Sequence, residues 1–223
     1  MKNENQEESN GIITVKSGQV AIKCLNIIGT IEGHNLADNT TKTTKYEHVL
    51  PELVKIEEDD KIEGLLILLN TVGGDVEAGL AIAEMISGIS KPKVSLVLGG
   101  GHSIGVPLAV SADISFIARS ATMTVHPMRT SGVVIGVSQT FQYMMRMQDR
   151  IVDFIDRHSK IDSKTYKKLM LETDEIANDV GTVLFGEKAV ECGLIDRVGT
   201  LSEALTALYE LIEQRKIDKK AKN

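Results

Sequence analysis

The chain has 223 residues, 42% of them hydrophobic, enough for one sizeable core; with 4% aromatics and no Trp, that core must be filled by Ile, Leu, Val, Met and Ala. A net charge of −6, with no basic stripe through the body of the chain, excludes nucleic acid as the main partner, because phosphate binding needs clustered Lys and Arg. The polar, acidic start MKNENQEESN and the lack of any long apolar run predict no signal peptide and no membrane span, hence a cytoplasmic protein.

In chain order, residues 1–19 read as a flexible tail. Alternating strands and helices then begin, and nothing repeats, so residues 20–215 are expected to form one α/β domain. Ile22 to Ile28 is an apolar strand. Val49, Leu53 and Ile56 recur at helical spacing and predict a helix from Tyr46 to Glu57. Leu65 to Leu69 and Val94 to Leu98 are short continuous apolar runs, the pattern of strands buried on both faces. Each is followed by glycines and a helix, from about Val76 to Ser87 with Asp75 as its N-cap, and from about Ser103 to Ser111.

Ile114 to Ala118 and Thr122 to Val125 are further strands. A long helix starts near Ser138, with Phe141, Met144, Met145, Gln148, Ile151, Val152 and Ile155 mostly on one face. Tyr166 to Leu171 continues the helical part. Gly186 to Gly193 is a small helix, Leu194 to Val198 a strand end and Leu201 to Gln214 a terminal helix, followed by a basic tail over 216–223. Cys24 and Cys192 lie in apolar patterns without metal-ligand spacing and are expected to be free thiols. No metal and no cofactor are expected.

The strongest chemical signal is Gly101-His102-Ser103-Ile104-Gly105 between a buried strand and a helix, the setting that the G-x-S-x-G pattern requires. Small flanking residues allow a sharp turn that pushes the Ser103 hydroxyl outward. The Ile104 amide then sits near a helix N-terminus, able to donate to a developing oxyanion. The competing explanation is a serine that merely caps a helix. Gly73 and Gly74 form a second glycine turn after a neighbouring strand, where a backbone amide can approach a carbonyl oxygen closely. A plain turn capped by Asp75 would look the same.

Five histidines are candidate bases. His102 adjoins Ser103 but points elsewhere, His34 and His48 lie in the polar N-terminal third, and His158 sits in a charged run. His126 ends a strand just before Pro127, at a strand carboxyl end where sites of α/β sheets gather. A satisfied edge histidine is the competing explanation for it.

Together, LLILLNTVGGDVEAGLAIAEMI, VSLVLGGGHSIGVPLAVSAD, FIARSATMTVHPM and AVECGLIDRVG resemble the Clp protease proteolytic subunits, over about Asn26 to Val198. Within that family the nucleophile and histidine segments are most similar to the translocation-enhancing proteins of Gram-positive bacteria. The resemblance implies a Clp/crotonase-like α/β spiral of repeated β-β-α units with a protruding handle helix, Ser138–Lys160, that joins stacked homo-oligomeric rings. It also implies a serine endopeptidase acting on peptides or unfolded proteins, with Ser103 as nucleophile, His126 as base, and Gly73, Gly74 and Ile104 around the oxyanion.

Departures from the family pattern are specific. The usual His-Gln-Pro is His126-Pro127 here. Counting back from Gly193-Leu194-Ile195-Asp196, the third catalytic position, normally Asp, is Gly181. The nearest acid, Asp179, is the preferred orienting carboxylate, with Asp174 and Glu175 as alternatives. Leu66 and Leu68 replace tyrosines of the family's unfoldase-docking surface, which leaves an AAA+ unfoldase partner open. The Gly132–Gly136 segment is either a strand edge that aligns an extended peptide or an ordinary short strand. Two other functions compete: a non-catalytic ring scaffold in protein export, and a crotonase-type acyl-CoA enzyme, which needs neither Ser103 nor His126.

Overall fold

A computed structural model of the chain describes residues 12–18, 20–35, 37–38, 40–174 and 179–222. Its frame is a sheet in the order β1-β2-β4-β5-β6-β9, formed by β1 (Ile12–Ser17), β2 (Val20–Glu32), β4 (Gly64–Gly74), β5 (Lys93–Gly101), β6 (Ile114–Ile117) and β9 (Arg197–Val198). All neighbours are parallel except β1, which lies antiparallel on β2. β3 (Thr43–Lys45) pairs with the end of β2. β7 (Thr122–Val125) pairs with β5 only at Gly100–Thr122 and antiparallel with β8 (Thr182–Phe185).

The continuous apolar runs are divided by the two-residue period of a strand. Leu25, Ile27, Leu65, Ile67, Leu69 and Val97 face one core, under α1 (Tyr46–Glu58), α2 (Val76–Gly88), α3 (Gly105–Val110) and α4 (Val137–His158). Ile22, Cys24, Leu66, Val94, Leu96 and Phe116 face the other, and there they meet Ala204, Ala207, Leu208 and Ile212 of α7 (Leu201–Lys222). Parallel strands must be covered on both faces, and α7 is what covers the second. α5 (Ser163–Met170) and α6 (Gly186–Glu191) complete the fold.

Local signals cap two of the helices, the first as expected. Asp75 accepts the Ala78 N–H at 2.8 Å and caps α2, while Asp162 accepts the Thr165 N–H at 2.9 Å and caps α5. Arg150 and Arg157 of α4 pair with Glu77 and Glu84 of α2. At the far edge Asp196 accepts both the amide and the hydroxyl of Ser115 and pairs with Lys160.

Three expectations need correction. Ile12–Ser17 is a strand rather than part of a tail, because Ile12 is fully buried and the segment completes the open edge of β2. The terminal helix continues through the basic segment to Lys222, since Ile-Asp-Lys-Lys-Ala-Lys contains no helix breaker. Gly132–Gly136 is not a strand: among the described residues it has no ladder partner, and it leads directly into α4.

The sheet–α7 layer predicts a sharp contrast within one helix. Leu208→Ala, in a fully buried position, should lower unfolding free energy by about 2–5 kcal/mol in denaturant titration. Ile217→Ala, at a position 59% exposed, should change it by less than about 0.5 kcal/mol.

Candidate active site

β5 runs into the turn that carries Ser103, whose φ of 57° is the only positive value at a non-glycine among the described residues. For an L-residue this conformation is strained by roughly 1–2 kcal/mol, and neighbouring backbone holds it. The Ser103 N–H donates to Thr124 O of β7 at 2.9 Å, and the His102 N–H to Thr71 O of β4 at 3.1 Å. The Ser103 carbonyl accepts the Val106 N–H of α3 at 3.0 Å. Ser103 therefore sits at the start of α3, between the ends of β4 and β7.

The Gly-Gly turn closes directly over it. Gly73 has φ 90°, and a Cβ there would lie 2.7 Å from the Ser103 Cβ, so only glycine lets the two turns meet. The Gly73 N–H already donates to Thr71 Oγ1 at 3.0 Å, which removes it from the expected set of oxyanion donors. Thr71 Oγ1 in turn donates to Gly29 O at 2.6 Å. Gly74 is different. Asp75 N–H donates to Ile31 O of β2, and the alternation of the ladder turns the Gly74 amide away from β2. Among the described residues no protein acceptor takes the Ile104 N–H.

His126 follows β7 and reaches the same cleft, a cavity of about 120 Å³ lined by Gly74, Val76, Ser103, Ile104, His126, Met128, Arg129, Ile151 and Tyr166. Its Nδ1 lies 2.7 Å from Pro127 O. A carbonyl oxygen only accepts, so Nδ1 carries the proton and neutral His126 keeps the Nε2 lone pair for another partner. Burial pushes its pKa below the ordinary 6.5; the Pro127 carbonyl opposes this, Arg129 adds to it and Asp179 opposes it. The shared cleft brings Ser103 and His126 together, without a hydrogen bond between them.

The other histidines are accounted for. His102 Nδ1 meets Thr124 Oγ1 at 2.8 Å beneath the elbow, and burial lowers its pKa, with His126 adding to the effect. His158 donates to Phe154 O and stacks on the Phe154 ring, His34 packs near Tyr46, and His48 is exposed. Burial pushes the Cys24 thiol up to about 11 and also raises that of Cys192. No group of metal-ligating side chains occurs among the described residues.

Asp179 does not take the expected place on the imidazole. Its Oδ2 lies 2.6 Å from Arg129 Nη2, and its Oδ1 accepts the Val180 N–H at 2.8 Å. Asp174 is exposed, and Glu175 lies outside the described residues. The residue packed against His126 is Gly181, with φ 135°; a Cβ there would lie 2.4 Å from Val125 O and 2.8 Å from the His126 Cβ. No side chain fits, so no acid can stand there.

A family model described as Clp protease matches residues 25–202. The chain belongs to the Clp protease family. It is 56% identical to a translocation-enhancing protein, TepA, of Halalkalibacterium halodurans over 88% of this chain and 77% of that protein. Weaker likenesses are to an ATP-dependent Clp protease proteolytic subunit 1 of Protochlamydia amoebophila (25% identity; 67% of this chain, 72% of that one) and to a putative signal peptide peptidase SppA of Enterococcus faecium (23%; 73% and 55%). The mixed α/β architecture fits that membership.

Leu66 and Leu68 are turned into the layer beneath α7. In α4, the expected apolar stripe is divided: Ile155 is buried and Ile151 packs on the core, whereas Phe141 and Met145 are exposed. Arg129, Met128 and Tyr166 were not anticipated as lining residues. Arg129 follows His126 by three positions, but nothing local in the sequence reveals its partner. No helix among the described residues is long and apolar enough to cross a membrane.

The two half-buried histidines, His102 and His126, carry a pH signature. Both are held below the ordinary 6.5, so as pH falls below that value the unfolded chain binds protons that the folded chain does not. Stability present above pH 6.5 should therefore be lost as pH falls through the folded-state values. The denaturant midpoint should drop between pH 7 and about 5, and a His102→Gln/His126→Gln double variant should show a shallower drop. An equal slope in both proteins would contradict the assignment.

Proposed function

We propose that the chain is a serine endopeptidase that cleaves peptides or unfolded protein segments through an acyl-enzyme on Ser103. The single observation that carries the reading is the strained Ser103 elbow in one cleft with His126, Gly74 and Ile104. Neutral His126 takes the Ser103 proton at Nε2 as Oγ attacks the scissile carbonyl carbon. The amides of Gly74 and Ile104 supply the donors for the oxyanion. The tetrahedral adduct collapses, His126 returns the proton to the leaving amine, and water then hydrolyses the ester by the same route. Pro127 O fixes the imidazole tautomer in this geometry, a task that a carboxylate usually performs.

The protein acts as a homo-oligomer, in keeping with the family. That part of the reading is supported by an unpartnered apolar run entering α4, where Val133 is 91%, Ile135 85% and Phe141 63% exposed. A link to protein translocation is part of this proposal, in keeping with the name of the TepA relative. A second reading, a non-catalytic scaffold in export, is favoured by one observation, the lack of a carboxylate on His126 among the described residues.

A fluorophosphonate probe separates the two. One adduct per subunit at Ser103, abolished in Ser103→Ala with the fold unchanged by circular dichroism, supports the peptidase. Loss of a catalytic member removes several orders of magnitude in rate, on the order of a thousand-fold or more, so peptide turnover in Ser103→Ala should fall to background. Equal labelling of the alanine variant would sink the assignment, and a wild-type protein that neither labels nor turns over peptides would favour the scaffold. Separately, light scattering should report a species well above a dimer, and Phe141→Asp should shift it toward smaller species. A stable monomer at micromolar concentration would refute self-association.

A further inference from the structure

Arg129 has no part in the acyl transfer outlined above, yet it lines the same cleft. Its guanidinium engages one oxygen of Asp179 at 2.6 Å, and the Val180 amide engages the other at 2.8 Å. Each carboxylate oxygen thus has a partner other than His126, and His126 Nδ1 donates to Pro127 O instead. Gly181 closes the space beside His126 against an acid at position 181.

We propose that Arg129 is a positioning residue that withholds Asp179 from His126, so that the resting site is a Ser103–His126 dyad and opening of the Arg129–Asp179 pair converts it to a triad. Both partners are more than one-third exposed, and ion pairs in such positions hold weakly enough to exchange. The released carboxylate then takes the Nδ1 hydrogen bond from Pro127 O. It stabilises the imidazolium that forms when Ser103 attacks, as a neutral carbonyl cannot. The groups that bear on His126 are His102 from the elbow, Tyr166 from α5, and Arg129 and Asp179 from the loops flanking β7 and β8. Of these, Arg129 disfavours and Asp179 favours the charged imidazole, as their opposite charges require.

This inference rests on the peptidase reading, and two readouts keep their failures apart. The first is the rate of fluorophosphonate labelling of Ser103 against pH in the full chain, in wild type, Arg129→Gln, Asp179→Asn and the double variant. Asp179→Asn should slow labelling at least about tenfold more in the Arg129→Gln background than in wild type, a coupling that independent sites do not show. Arg129→Lys should behave like wild type. The second readout is the titration midpoint of His126 in Ser103→Ala protein, by carbon-13 histidine resonances, which needs no activity.

Arg129→Gln should raise that midpoint, and adding Asp179→Asn should bring it back down. Additive labelling effects, or a midpoint indifferent to Asp179 once Arg129 is gone, would overturn the proposal. A wild-type protein that takes no label would instead count against the peptidase reading, with the histidine titration still deciding the role of Arg129.

Discussion

Two backbone hydrogen bonds, from the His102 N–H to Thr71 O and from the Ser103 N–H to Thr124 O, pin the serine elbow between the Gly-Gly turn and the histidine strand. Without them the left-handed backbone at Ser103 would relax, and the hydroxyl would lose its orientation. Thr71 extends the arrangement further. Its carbonyl receives His102, and its hydroxyl bridges Gly29 O and the Gly73 N–H. The ends of β2, β4, β5 and β7 are therefore one hydrogen-bonded unit. Because β2, β4 and β5 run parallel, their carboxyl ends emerge together, which is why residues far apart in sequence share one cleft.

The same sheet explains the distribution of apolar residues. The buried runs at Leu65–Leu69 and Val94–Leu96 carry no sign in sequence of which residue faces which layer, since both faces demand apolar side chains. Packing resolves it: odd positions go under α1 to α4 and even positions under α7. Leu66 and Leu68 belong to the second set. The side chains at those two positions are thus part of the intramolecular packing of this chain, and a partner approaching that face meets α7 first.

What was legible in the sequence was what is encoded locally. The glycines around Ser103 and the strand end at His126 announce a turn and a carboxyl end, and counting back from Asp196 put the family's third catalytic position at Gly181, which packs against His126. The Asp75 cap is local too. The illegible features depend on contacts distant in sequence. β1, β3 and β8 are short and are fixed by their partners more than by their own composition. Gly132–Gly136 has a strand-like run of Val and Ile but no strand to pair with among the described residues. The engagement of Asp179 by Arg129 crosses 50 residues, and no spacing rule predicts it.

The φ of 57° at Ser103 has a thermodynamic side. A left-handed turn in this position would be satisfied better by glycine, which carries no Cβ to crowd the adjoining carbonyl. The fold would therefore gain about 1 kcal/mol by discarding the hydroxyl at the centre of the cleft. Position 103 is one where folding and chemistry pull in opposite directions, and the residue found there is the one that folding alone would not have chosen.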